Sequence, residues 1–185
     1  MKIYLIDVNE KIIEEWKKLF NFNHIKDVII VHQDLHSFLN SHPNIEAIVS
    51  PANSFGIMMG GYDLAITKYF GNELQARVQR FINNNLYGEQ TVGTSISVKI
   101  PNTDKYLIHT PSMRTPSVIK DPEVIYNCMR NTLIEAYKLN VDSILIPAFG
   151  GLTGCVEPEE VAWQMFCAYR QINDYIVKLS KNDNT

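Results

Sequence analysis

Two segments of this 185-residue chain place glycines where a backbone would have to come close to a ligand. The first, Ser50 to Asp63, holds Gly56 and the pair Gly60-Gly61. The second, Pro147 to Cys155, reads Pro-Ala-Phe-Gly-Gly-Leu-Thr-Gly-Cys. Each follows an apolar run of strand character and leads into a helical pattern. Glycine lets backbone N–H groups approach a ligand closely, and a helix N-terminus favours negative charge. Two such loops after two different strands predict a phosphate site made of peptide amides rather than lysines. Glycine turns required only by topology are the competing reading, and two loops weaken it more than one would.

Several other chemistries are excluded. The phosphate loop GxxxxGK[ST] is absent, no lysine follows Gly60-Gly61 or Gly150-Gly151, and the full GxGxxG fingerprint is missing. No serine or cysteine nucleophile with a partnered histidine is visible, so attack by water is preferred to covalent catalysis. His32 and His36 straddle a strand-to-helix junction, where the i, i+4 face of a zinc helix does not form. Neither a metal site nor a cofactor is expected. Cys128, Cys155 and Cys167 are odd in number and contain no CxxC pair, which points to a reducing, cytoplasmic compartment.

The formal charge is −3. No basic face is evident of the kind a nucleic-acid duplex requires. The N-terminal apolar run turns polar after Val8, too soon for a signal segment. No run approaches the ~20 residues that span a bilayer. A soluble protein with no membrane partner is expected.

The elements that must position the loops alternate. Strands are expected at Ile3 to Val8, Val28 to Val31, Ala47 to Val49, Thr94 to Ile100, Tyr106 to His109 and Ser143 to Ile146. Between them lie helical patterns, the first capped by Asn9 and carrying Ile12, Ile13, Trp16, Leu19 and Phe20. Others follow at Leu35 to Leu39, at Asp63 to Phe70 with Gly71 as its stop, and after Asn72. Asp121-Pro122-Glu123 and Glu157-Pro158-Glu159-Glu160 open two more. Apolar strands separated by helices predict an α/β fold: a mixed, mostly parallel sheet of about six strands sandwiched by helices. Residues 1–180 read as one domain and residues 181–185 as a polar tail.

At the two loops the chain resembles the macro domain family. Val49-Ser50-Pro51-Ala52-Asn53 is similar to the family's strand end closing in asparagine. Gly60-Gly61-Tyr62-Asp63 resembles its glycine run followed by a hydrophobic residue and aspartate, and Ile146 to Glu160 its second phosphate loop with the helix behind it. A macro-domain-like subfamily of bacteria and some viruses shares the longer pattern standing here as Ser50 to Gly56, Gly60 to Gly71, Thr110 to Pro116, and Pro147 to Met165. The resemblance implies a three-layer sandwich, and a partner that is ADP-ribose or an ADP-ribosylated molecule, either read or hydrolysed.

Carried over residue by residue, the resemblance makes Asp34 the acceptor from the adenine exocyclic amine, although Asp34 also stands where a helix cap belongs. Gln33 replaces the glycine usual before it. Asn53 becomes the contact to the distal ribose, with an Asx turn as its alternative. Asp63 becomes the base or water-orienting group of hydrolytic members, with a helix cap as its alternative, and Asn53 and Asp63 form the catalytic pair. Met59 departs from the small or polar residue usual there. Gly60, Gly61, Tyr62, Gly150, Gly151, Leu152, Thr153 and Gly154 form the diphosphate-binding set. Phe149 is a cover for the diphosphate or a core residue. Arg114 is a phosphate partner or half of a structural salt bridge. A hydrolase, a non-catalytic reader, and an interaction protein with a vestigial pocket all remain open.

Overall fold

The computed structural model describes the backbone of residues 1–182 and the side chains of residues 1–179. Six strands form one sheet in the order β2-β1-β6-β3-β5-β4. They are β1 (Lys2–Asp7), β2 (Val28–His32), β3 (Ala47–Ser50), β4 (Ile96–Lys99), β5 (Tyr106–His109) and β6 (Ser143–Pro147). All neighbours pair parallel except the edge strand β4, which runs antiparallel to β5. The expected mostly parallel sheet is therefore present.

Buried parallel strands carry apolar side chains on both faces, and here each face feeds its own core. Ile3, Leu5, Val49, Ile108, Ile144 and Ile146 meet α1 (Glu10–Trp16), α5 (Glu123–Leu139) and α6 (Pro158–Asn182). Ile6, Ile48, Leu107 and Leu145 meet α2 (Leu35–Ser41), α3 (Gly61–Phe70) and α4 (Glu73–Asn85) on the other side. The result is the expected three-layer sandwich. Among the described residues no helix is long and apolar enough to cross a membrane.

Helix boundaries follow local chemistry. Asn9 caps α1 by accepting from the Lys11 amide at 3.0 Å, as its side chain predicts. Beyond Trp16 the helix widens into a π-helical turn over Lys17–Asn21 that keeps Phe20 fully buried. Asn72 caps α4 by position only, with no side-chain bond to an amide. The third helix starts earlier than expected, at Gly61, so Asp63 lies inside its first turn and Gly60 is the capping residue. The last helix continues through 182; the part of the expected polar tail at 183–185 lies outside the described residues.

Candidate functional site

The two glycine loops leave the C-terminal ends of β3 and β6, which are neighbours in the sheet. Open α/β sheets bind ligands at this edge. The first loop is pinned from three sides. Asn53 holds it from within, accepting from the amides of Phe55 and Ile57 at 3.1 and 3.3 Å and donating to the Ile57 carbonyl at 2.7 Å. Gln75 of α4 accepts from the Met58 amide at 2.7 Å. The Ser54 amide meets the carbonyls of Met113 and Arg114, in the segment after β5. At Gly56 a Cβ would fall 2.9 Å from Val78, so glycine is what lets the loop lie against α4.

The second loop turns back on itself. The Val156 amide donates to the Gly150 carbonyl, where Gly150 has φ +73°. A Cβ on Gly154 would lie 2.5 Å from the Gly150 carbonyl oxygen and 2.7 Å from Ile119. Backbone cannot yield as a flexible side chain can, and overpacking of this kind costs about 1–3 kcal/mol. Gly154→Ala is therefore expected to lower the unfolding free energy by that amount and the urea midpoint with it. Gly60→Ser is expected to leave stability within about 0.5 kcal/mol of the parent, because a Cβ there meets nothing within 4 Å. Equal midpoints for Gly154→Ala and the parent would contradict the packing described.

Both loops open into one cleft of about 390 Å³, within the range of small-molecule sites. Gly60, Gly61, Tyr62 and Asp63 line it from the first loop, and Gly150, Leu152, Thr153 and Gly154 from the second. Across the cleft the loops nearly touch: a Cβ on Gly61 would sit 3.4 Å from Leu152. The amides of Gly61, Tyr62 and Asp63 open α3 and have no partner inside the helix. Those of Gly151, Leu152, Thr153 and Gly154 make no backbone hydrogen bond among the described residues. Among the described residues, no lysine, arginine or histidine lines the cleft. Its polar groups are peptide N–H groups and the side chains of Asn53, Tyr62, Asp63, Ser112 and Thr153.

Asp63 carries the only carboxylate among the lining residues. It is 9% exposed, and its Oδ1 accepts from the Ser50 hydroxyl at 2.6 Å. Burial pushes its carboxyl up to about 7, against the downward pull of that hydroxyl. Tyr62 beside it buries a phenol that has no partner among the described residues. Burial holds that phenol far above its ordinary range, reinforced by the charges of Asp63 and Asp7.

Other expected residues take different places. Asp34 caps α2, with Oδ1 accepting from the Ser37 amide at 3.0 Å and Oδ2 from the Ser37 hydroxyl at 2.7 Å. The Ser37 hydroxyl, then its amide, hold that carboxyl below its usual range. It is exposed, at the end of β2 and outside the cleft lining. Phe149 is fully buried among the α5 and α6 side chains and covers nothing in the cleft. Its position three residues past Leu145–Ile146 in a buried turn makes core the stronger demand. Arg114 grips Glu89 in a two-point ion pair, 2.7 Å from Nε and 2.9 Å from Nη2, and stays out of the lining. His32 bonds the Val8 carbonyl, while His36 packs edge-on against Tyr69.

Three polar residues near the cleft escape a reading of the sequence. Ser50 and Asp7 each end an apolar strand run, which is the only signal they give. The Asp7 carboxylate accepts from the Asn9 amide at 2.8 Å. Burial raises its carboxyl, opposed by the amides of Asn9, Val8 and the cleft-lining Ala148. His109 is buried at the end of β5, opposite Ser50 in register. The Gln90 amide nitrogen donates to the Thr94 and His109 carbonyls, so its Oε1 must accept from His109 Nδ1, 2.7 Å away. Nε2 is then a bare, buried acceptor without a partner among the described residues.

Comparison with known proteins agrees with this layout. A family model described as Macro domain matches residues 49–165, which contain both loops. An uncharacterized protein of Aquifex aeolicus is 31% identical over 117 residues, 63% of this chain and 67% of its own. Among solved structures, a mutant of the Oceanobacillus iheyensis macrodomain with ADPR is 26% identical at a TM-score of 0.61, over 69% of this chain and 70% of that one. The Mycobacterium tuberculosis DarG macrodomain shares the fold at 22% identity and a TM-score of 0.60, over 70% of this chain and 84% of its own. With its six-stranded sandwich and its paired glycine loops on one edge, this chain belongs to the Macro domain family.

Proposed function

We propose that the protein binds ADP-ribose, or an ADP-ribosyl group, in the cleft between its glycine loops and hydrolyses an ADP-ribosyl linkage or a terminal phosphate there. The observation that carries this reading is the convergence of two sets of backbone amides on one cavity, with no partner for those amides and no cationic side chain in the lining among the described residues. A diphosphate is the ligand such a surface satisfies, since each oxygen accepts from N–H groups and the α3 N-terminus adds favourable charge. The Oceanobacillus iheyensis macrodomain carrying ADPR supports the choice of nucleotide.

The rest of the ligand follows from strand order. From β3 to β2 there are three interstrand steps, about 14 Å at the usual spacing. With the distal ribose beside Asn53 and Asp63, the adenosine end passes over β1 toward Asp34. The Asp34 carboxylate still has acceptor capacity beyond its two bonds to Ser37, which suits the adenine amine. Asn53 contributes by fixing the loop, and the Thr153 hydroxyl stands among the phosphate-facing amides.

In the hydrolytic step Asp63 takes a proton from a water as the water's oxygen bonds to the ribose carbon or phosphorus of the linkage, the bond from that atom to the leaving group breaks, and the leaving group takes a proton from solvent. A carboxyl poised near neutral pH is suited to that work. A reader without turnover is the second reading, favoured by Met59, whose bulky side chain is 71% exposed at the mouth of the cleft. Asp63→Ala separates them, because a hydrolase loses rate while keeping much of its affinity and a reader loses affinity alone. Calorimetric titration with ADP-ribose, AMP and ribose 5-phosphate tests the binding itself. ADP-ribose should bind at least tenfold more tightly than either fragment, and Asp34→Ala should narrow its advantage over ribose 5-phosphate. Equal affinity for AMP and ADP-ribose would remove the diphosphate cradle.

A further inference from the structure

We infer that Ser50 is the positioning residue of this site: its hydroxyl ties one oxygen of Asp63 to the sheet, turns the other to the cleft, and sets the pH at which Asp63 can take a proton. The inference deepens the reading of Asp63 as a base and rests on it.

The geometry is specific. Ser50 ends β3 with its side chain on the same face as Ile48, toward α3, and is fully buried. Its Oγ donates to Asp63 Oδ1 at 2.6 Å. Oδ2 has no partner among the described residues, and Asp63 lines the cleft where Ser50 does not. One oxygen is thus anchored behind the wall and the other is available to a water in front of it.

Beyond the α3 N-terminus, no other side chain among the described residues offers the carboxylate comparable support. Tyr62 on the same helix and Asp7 on β1 are acids, and any charge on them disfavours a charged Asp63. His109 on β5 is neutral at all but strongly acid pH, since burial pushes it down to about 3. On α4, Glu73 and Arg77 pair with each other at the surface, and Arg80 is exposed; on α2, Asp34 and His36 are exposed. The second loop contributes no charged side chain to the cleft. Among the described residues the Ser50 hydroxyl therefore makes the one hydrogen bond that favours the charged form of Asp63, in opposition to its burial.

A hydrogen bond to a charged group is worth enough to move a titration midpoint by about one on the pH scale. The test is the carbon NMR titration of the Asp63 carboxyl in the ligand-free parent, Ser50→Ala and Ser50→Thr. We expect a parent midpoint near 7, an upward move of about one in Ser50→Ala, and return toward the parent in Ser50→Thr, which keeps the hydroxyl. The acid limb of any hydrolytic rate profile should move with it. Coincident midpoints in the parent and Ser50→Ala, both folded by amide spectra, would overturn the inference. The titration uses no ligand, so a parent that fails to bind ADP-ribose defeats the functional reading while the midpoints still decide the role of Ser50.

Discussion

Asp63→Asn should gain stability relative to the parent by about 4 kcal/mol on going from pH 4 to pH 8, at 1.36 kcal/mol per pKa unit. The folded carboxyl titrates near 7 and the free one near 3.8. Between those values the folded chain holds a proton that the unfolded chain has released. Stability contributed by this group is therefore complete below pH 3.8 and is lost as pH rises through 7. Asparagine does not titrate, so the variant escapes that loss. Its new Nδ2 donor adds a constant penalty of about 1–3 kcal/mol at every pH, which is why the change with pH is the quantity to read. Urea unfolding at a series of pH values measures it, and a constant offset between variant and parent would show that Asp63 titrates normally. In the proposed hydrolytic reaction the same substitution should reduce turnover by roughly 10²–10⁴.

His109→Gln is expected to give the opposite change. Burial pushes the His109 imidazole down to about 3, from an ordinary 6.5. Between those values the unfolded chain binds a proton that the folded chain refuses, so stability rises with pH and is complete above 6.5. The full difference is about 5 kcal/mol. Across pH 4 to 6.5 the slopes from Asp63 and His109 are equal and opposite, and the parent should be nearly flat as far as these two groups are concerned. Asp63→Asn unmasks a rise of about 1.4 kcal/mol per pH unit over that window, and His109→Gln unmasks a fall of the same size. Parallel stability curves for the parent and His109→Gln would contradict the account of a neutral buried imidazole.

Much of this site was legible because it is built from glycines and strand ends, whose constraints are local. Gly150 at φ +73° and Gly61 at φ +52° sit where the loops must turn, and the apolar runs before them announced the strands. Asp63 stands out in the sequence too, but the start of its helix does not: with Gly60 as the cap, the helix begins ahead of Asp63 and carries it inward rather than leaving it at the boundary. Phe149 and Arg114 show what local reading lacks. Whether a loop aromatic faces a ligand or a core depends on α5 and α6 packing behind it. The pairing of Arg114 with Glu89 joins residues 25 positions apart. Ser50, Asp7 and His109 become polar neighbours of the cleft only once the sheet brings the ends of β3, β1 and β5 onto one edge.

The most direct measurement is an amide NMR titration with ADP-ribose, following the N–H resonances of Gly61, Tyr62 and Asp63 together with those of Gly151, Leu152, Thr153 and Gly154. Both groups should shift along one binding curve with a common midpoint, and methylene-linked analogues of the diphosphate should move them less. Shifts confined to one loop, or two groups saturating at different ligand concentrations, would contradict a single diphosphate held between them.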